Sequence, residues 1–163
     1  MRNRKAMPKV SAMESNEILR QELREAERGE ALGWTGYRFP AWTPLAMGVW
    51  ATTFTLGLAY VDGTLGTVWS LVHLVVVLGY LGWDHRTQAA YPSYGGTVPR
   101  EYHRPTAALF AAPVVLIPVA FLLGYYVAGW VAAVFIGVTW GLAVWLYNRA
   151  YARASAAVRA RLA

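Results

Sequence analysis

The chain contains no cysteine. Without thiols it forms no disulfide, no thiolate metal site and no iron–sulfur cluster, and it has no cysteine nucleophile. The sequence also shows no Ser–His–Asp grouping, no paired carboxylates at one interface and no Gly-rich phosphate loop. These absences predict a protein that is not an enzyme and that carries no metal and no resident cofactor.

Charged residues are missing from two long stretches. Between Ala41 and Trp83 the only Asp, Glu, Lys or Arg is Asp62, and between Thr106 and Asn148 there is none. A helix of about 20 residues rises about 30 Å, which is the thickness of a bilayer's hydrocarbon core. The sequence therefore predicts an all-α, polytopic membrane protein with four spans in two hairpins. The predicted spans are residues 41–61, 64–83, 106–126 and 128–147.

The two short connections between spans lack Lys and Arg. All fifteen Lys and Arg residues lie in the N-terminal arm, in the connection between the second and third spans, or in the C-terminal tail. The positive-inside rule places these parts, and with them both termini, on the cytoplasmic side of a bacterial-type cytoplasmic membrane. The predicted parts are an arm at 1–40 with a helix at about 14–30, a membrane domain at 41–147 with a loop at 84–105, and a basic helical tail at 148–163.

The excess of positive charge, with a net charge of +6, is explained by this topology and by anionic lipid headgroups. No recognition helix, zinc-ligand spacing or base-stacking platform is visible, so nucleic acid is not predicted as a partner. We expect a group of arginines to contact lipid headgroups or a partner protein. These are Arg20, Arg24, Arg28, Arg38, Arg86, Arg100, Arg104, Arg149 and Arg153.

The predicted N-terminal helix is amphipathic but has a narrow apolar face. Leu19, Leu23 and Ala26 share that face, and three arginines spaced four residues apart form a stripe. Gly29 and Gly33 act as stop signals for the helix. The pattern leaves two interpretations open, namely a solvated charged helix and a docking helix for a partner or for a second copy of the chain.

The segment from Trp34 to Trp42 joins the arm to the first span. It combines several aromatic residues with Arg38 and Pro40 at the predicted membrane boundary. Amphipathic rings are enriched at headgroup level, so this composition predicts an interfacial anchor.

His73 lies in the middle of the second predicted span, where ionisable residues are costly and often functional. It is a candidate haem ligand, quinone contact or proton relay. Against these roles, His85 and His103 lie in the predicted loop, and the spans contain no carboxylate. A neutral histidine bonded to a neighbouring helix is the alternative. Asp84 and Glu101, with the loop histidines, have metal-compatible side chains but no fixed short spacing, so no metal site is predicted.

Small residues recur every four positions on the fourth predicted span. Such a track allows close backbone approach to another helix, either within the chain or across a dimer. The track consists of Gly129, Ala133, Gly137 and Gly141. In the third span, Pro113 and Pro118 are expected to bend the helix.

The stretch from Val138 to Ala150 is a Gly-containing apolar helix that ends in Leu-Tyr-x-Arg-Ala, and Phe110 and Pro113 precede it. With these residues, the C-terminal hairpin (about 104–163) resembles the second half of the small two-helix bacterial inner-membrane proteins found with acetate-type sodium/solute symporters. That family has two spans, whereas four are predicted here. The resemblance implies an accessory subunit of a transporter and brings no catalytic residue with it.

Together these patterns predict a non-catalytic integral membrane protein that is a small accessory or assembly subunit of a larger membrane complex or transporter. Its expected partners are anionic lipid headgroups and either a membrane protein or a second copy of the chain. Two alternatives use His73. One is a self-contained small transporter or channel homodimer, and the other is a haem- or quinone-binding membrane redox protein.

Overall fold

The computed structural model describes residues 12–88, 92 and 98–163, and within these ranges the chain forms five α-helices and no strand. The all-α prediction is therefore confirmed. The helices are α1 (Ala12–Gly36), α2 (Thr43–Tyr60), α3 (Gly63–Thr87), α4 (Arg100–Tyr126) and α5 (Gly129–Leu162). The basic start of the arm and most of the middle of the predicted loop lie outside the described residues.

Three helices, α3, α4 and α5, are long and apolar enough to cross a membrane. Length and composition therefore suit a multi-pass membrane protein. The predicted first span corresponds to α2, which is not one of these three. This helix has only 18 residues, and its threonines lower its mean hydropathy. They are Thr43, Thr52, Thr53 and Thr55.

The helices lie in the order α3, α2, α5, α4, with the most extensive contact between α2 and α5. Helix α4 packs on the other side of α5, and α3 packs on α2. Within the described ranges, no extensive contact joins α3 to α4. Only Val61 and Asp62 connect α2 to α3. The chain reverses there because Gly63 adopts a φ of 60°, which glycine tolerates without a steric cost.

Helix α1 is longer than predicted. It continues through Gly29 and Gly33 and ends at Gly36. A glycine inside a helix costs about 1 kcal/mol relative to alanine. Beyond the first glycine, Ala31 and Trp34 are buried against other helices, and this packing outweighs the weak local preference for helix.

A buried aromatic cluster lies where the end of α1, the start of α4 and the last turns of α5 meet. We call this end of the bundle the α1 end. Trp34 is only 2% exposed there, and Tyr37 is also buried. The predicted interfacial anchor is therefore wrong for these two rings, because they pack against protein. The cluster consists of Ala31, Trp34, Tyr37, Tyr102, Tyr147, Tyr151, Ala154 and Val158.

Candidate functional site

The backbones of α2 and α5 touch along a seam of small residues. A Cβ built on Gly48 of α2 would lie 2.8 Å from the carbonyl oxygen of Gly137. A Cβ built on Gly141 would lie 3.0 Å from the carbonyl oxygen of Pro44. Distances this short leave no space for a methyl group, so only glycine permits this helix separation.

The seam extends along α5 towards its N-terminus. Ala133 is fully buried, and a Cβ on Gly129 would lie 2.9 Å from the Cβ of Ala59. The small-residue track thus faces α2 of the same chain. The sequence alone does not distinguish this arrangement from packing across a dimer. Sequence reasoning missed the partner, although Gly48 and Thr52 show the same four-residue spacing of small residues on α2.

His73 is buried between α2 and α3, and both of its ring nitrogens have partners. Nδ1 lies 2.9 Å from the carbonyl oxygen of Trp69, and Nε2 lies 3.2 Å from the hydroxyl of Thr53. A carbonyl only accepts, so Nδ1 carries a proton and donates it. The Thr53 hydroxyl has a single proton and also lies 3.0 Å from the carbonyl oxygen of Trp50, so it donates either to Nε2 of the neutral ring or to that carbonyl oxygen. A ligand or a proton path at His73 has to displace one of these partners.

Three aromatic rings surround the imidazole of His73. Its centroid lies 4.7 Å from that of Trp69, 5.4 Å from Phe54 and 6.4 Å from Trp50. The contact between α2 and α3 is otherwise small, apart from the Trp69 indole, which lies directly over Gly57. The contact between Thr53 of α2 and His73 is therefore one of the few specific links that hold α3.

At the α1 end, the linker between α1 and α2 (residues 37–42) is hydrogen-bonded to the last turn of α3. We call this segment the linker after α1. The Tyr37 hydroxyl donates to Oδ2 of Asp84 at 2.7 Å. The amide of Gln88 donates to the carbonyl oxygen of Arg38 at 2.8 Å and to Oδ1 of Asp84 at 3.3 Å. In return, the backbone N–H of Arg38 donates to the Gln88 side chain. Asp84 is 1% exposed, so its carboxylate belongs to the protein interior.

A chain of hydrogen bonds runs through the aromatic cluster. The Tyr151 hydroxyl donates to the carbonyl oxygen of Trp34 at 2.6 Å. Ser155 donates to the carbonyl oxygen of Tyr151 at 3.0 Å, and the Tyr102 hydroxyl lies 2.9 Å from the Ser155 oxygen. Because Ser155 has a single hydroxyl proton, Tyr102 is the donor in the last bond. These bonds fix α1, α4 and α5 relative to one another.

The arginines expected to contact lipid or a partner all have exposed side chains. Arg28 on α1 donates to the carbonyl oxygen of Leu162 at 3.1 Å. The guanidinium of Arg149 lies 4.2 Å from the ring centroid of Trp145, which is a cation–π geometry. The other positions lie on α1, in the linker after it, and at the α1 ends of α3, α4 and α5. They are Arg20, Arg24, Arg38, Arg86, Arg100, Arg104 and Arg153.

Two of the metal-compatible side chains around the predicted loop, Glu101 and His103, bond to other groups of the protein. Glu101 accepts from Arg161 at 3.0 Å, and His103 donates to the carbonyl oxygen of Val98 at 3.0 Å. In the part of the chain that the structure describes, no three His, Asp or Glu side chains are grouped closely enough to hold a metal ion.

No protein-family model, no curated protein and no solved structure matches this chain. The likeness of the C-terminal hairpin to symporter-associated proteins accordingly stays a prediction.

Proposed function

We propose that this chain is a four-span membrane protein that acts without catalysis, as an accessory or assembly subunit of a larger membrane complex. Helix α1 carries this proposal. Every side chain from residue 17 to residue 30 is exposed, yet Trp34 anchors the helix firmly at its C-terminal end. A helix that is fixed in direction and exposed over most of its length is suited to bind another protein.

The exposed part of α1 has an apolar row that suits helix-in-groove docking. Ile18, Leu19 and Leu23 are all more than half exposed, on a helix whose other side chains are mostly charged or polar. Aliphatic anchors at this spacing are what a hydrophobic groove on a partner binds. The cytoplasmic part of a larger membrane protein is the partner that fits a helix held beside the bilayer.

The contact between the two ends of the chain supports an even number of membrane crossings. Trp34 of α1 accepts a hydrogen bond from Tyr151 of α5, and Arg28 bonds to Leu162. The end of α1 and the end of α5 therefore lie on the same side of the membrane. Since α3, α4 and α5 are three candidate crossings, α2 is the fourth.

The packing of α2 suits a membrane span despite its lower hydropathy. Its 18 residues rise about 27 Å, and it runs antiparallel to α5 along its whole length. Two threonine hydroxyls in its middle are satisfied locally, because Thr52 donates to the carbonyl oxygen of Gly48 and Thr55 donates to that of Ala51. Polar side chains bonded to their own helix are tolerated in lipid.

The distribution of Lys and Arg favours the cytoplasm as the side that holds α1, the predicted loop and the tail. A cation–π pair such as Arg149 over Trp145 is typical of headgroup level, where arginine extends towards phosphate. The N-terminus and the C-terminus are then both cytoplasmic in a bacterial-type cytoplasmic membrane. Helix α1 is available to a cytoplasmic partner.

The proposed docking role of α1 predicts a selective loss of partner. We expect the double variant Leu19→Ser/Leu23→Ser to retain at least about tenfold less partner than the natural chain, because each buried anchor contributes about 1 kcal/mol or more. The measurement is tagged purification in mild detergent, with quantitative mass spectrometry of stoichiometric proteins. The matched control is Gln21→Ser/Glu25→Ser, which adds the same serines at the same spacing on the opposite face.

Two outcomes contradict this account. Equal retention of the partner by both double variants removes α1 from the interface. A particle with no stoichiometric partner contradicts the accessory role and favours a self-contained transporter or ligand-binding oligomer. Recovery of a sodium/solute symporter supports both the accessory role and the resemblance of residues 104–163.

A further inference from the structure

A cavity of about 260 Å³ lies at the α1 end, between α2, α3, α4, α5 and the linker after α1. Asp84 lines it and is 1% exposed. Its carboxylate accepts hydrogen bonds from Tyr37 and Gln88. Among the described residues, no Lys or Arg nitrogen lies within 4.0 Å of this carboxylate. A buried negative charge without a cationic partner is costly, so the cavity favours a positively charged occupant.

Two threonines that line the same cavity have hydroxyls without hydrogen-bond partners within the described ranges. Thr43, which begins α2, is only 3% exposed, and its Oγ1 is unpartnered. The Oγ1 of Thr106 on α4 is also buried and also has no hydrogen-bond partner within the described ranges. Native proteins leave few buried polar atoms unsatisfied, and such atoms commonly mark the position of a ligand or a water. Both threonines line the cavity that contains Asp84.

Aromatic rings form much of the remaining wall. Rings favour a cation over their faces, and this attraction is stronger where water is excluded. The aromatic residues of the wall include Phe39, Tyr80, Phe110, Trp140, Tyr147 and Tyr151.

An apolar groove of about 480 Å³ adjoins this cavity and shares Trp140 with it. On α2 the lining continues from Met47 in the cavity to Trp50 in the groove. On α4 it continues from Phe110 to Pro113. Steps of three residues keep to one face of a helix, so the groove leads from the charged cavity along the apolar length of the bundle.

On the side of α3 and α4 the cavity is lined by exposed residues of both helices and by Pro92 of the connection between them. Leu81 on α3 and Phe110 on α4 both line it and are 46% and 74% exposed. No extensive contact closes the space between these two helices in the described ranges. In the membrane position proposed above, a molecule dissolved in the bilayer enters through this gap.

We propose that the Asp84 cavity binds the primary ammonium head of an amphiphile whose apolar chain occupies the adjoining groove. An ammonium group has three N–H donors, and these match the Asp84 carboxylate and the hydroxyls of Thr43 and Thr106. A quaternary ammonium satisfies the rings but donates to neither hydroxyl. An anionic head is repelled by Asp84. The site goes beyond the accessory role and uses none of the exposed anchors of α1.

The test is equilibrium binding of radiolabelled dodecylamine to the purified full-length chain in a neutral detergent. We expect saturable binding at about one molecule per chain. Asp84→Asn should weaken it by at least about tenfold, and Thr43→Val and Thr106→Val by about threefold to tenfold each. Thr139→Val is the matched control, because its hydroxyl donates to the carbonyl oxygen of Phe135 outside the cavity, and it should bind like the natural chain.

Three competitors separate the contributions of head and chain. Butylamine should compete at least about tenfold more weakly than dodecylamine, because it cannot fill the groove. Dodecyltrimethylammonium should be weaker than dodecylamine, and dodecanol should not compete. Equal competition by dodecanol, or unchanged binding in both valine variants, overturns the proposal. Equal binding of the quaternary ion overturns the assignment of a primary ammonium.

The valine variants keep the proposal testable if Asp84→Asn does not fold. Loss of dodecylamine binding in a variant that still retains its partner separates this site from the accessory role.

Discussion

Replacing Gly137 with leucine is expected to destabilise the membrane domain by about 3 kcal/mol or more, the upper range for overpacking. A Cβ at this position would overlap the hydroxyl of Thr52 and lie 2.7 Å from the carbonyl oxygen of Gly48. The Gly48 carbonyl belongs to the backbone and the Thr52 Cβ is fixed to it, so neither can move aside as the end of a flexible side chain does. The two helices must therefore separate, and the most extensive helix contact of the chain is lost.

Thermal unfolding in detergent measures this effect. Gly79→Leu on α3 is the matched control, because a Cβ there meets no atom within 4 Å. We expect the control to melt close to the natural chain and Gly137→Leu to melt well below it. Equal melting temperatures for the two variants would show that α2 and α5 do not pack backbone to backbone.

Replacing Trp34 with alanine is expected to release α1 from the bundle. The indole is almost completely buried, and its ring centroid lies 5.1 Å from that of Tyr102. Loss of a buried tryptophan of this kind costs about 3–5 kcal/mol. Apart from this ring, the end of α1 is joined to α5 mainly by hydrogen bonds from Tyr151, Arg28 and Arg159. The loss of packing therefore falls on α1 itself.

Hydrogen exchange of the α1 backbone amides measures this release. Trp34→Ala should remove most of the protection between residues 31 and 36. Trp42→Ala is the control, because this ring is 46% exposed and contacts Tyr80 and Trp83 instead. Unchanged protection in Trp34→Ala would contradict the anchoring of α1 by the aromatic cluster.

The sequence predicts the apolar helices well because hydropathy and charge are local properties. The third predicted span ends at Tyr126 and the fourth begins at Ala128. These positions coincide with the observed turn between α4 and α5. The small-residue track likewise marks the face of α5 that packs. It does not identify α2 as the partner, because a pattern on one helix carries no information about which helix lies opposite.

The α1 end was harder to predict, because its contacts join residues far apart in sequence. Trp34 and Tyr151 are separated by 117 positions. Aromatic residues next to an arginine occur equally in a membrane-interface anchor and in a packed cluster, so local composition does not separate the two. From the sequence, Asp84 is recognisable only as a side chain of a type that can bind a metal. In the structure its carboxylate accepts a hydrogen bond from Tyr37, which lies 47 positions away.

Single-cysteine labelling tests the four-span topology most directly, since the natural chain has no cysteine. A membrane-impermeant maleimide is applied to intact cells that carry Asp62→Cys, Gln21→Cys or Ala157→Cys. The account predicts labelling of Asp62→Cys from outside, and labelling of Gln21→Cys and Ala157→Cys only after permeabilisation. If Gln21→Cys and Ala157→Cys are labelled from opposite sides, the chain crosses the membrane an odd number of times, which would contradict the account.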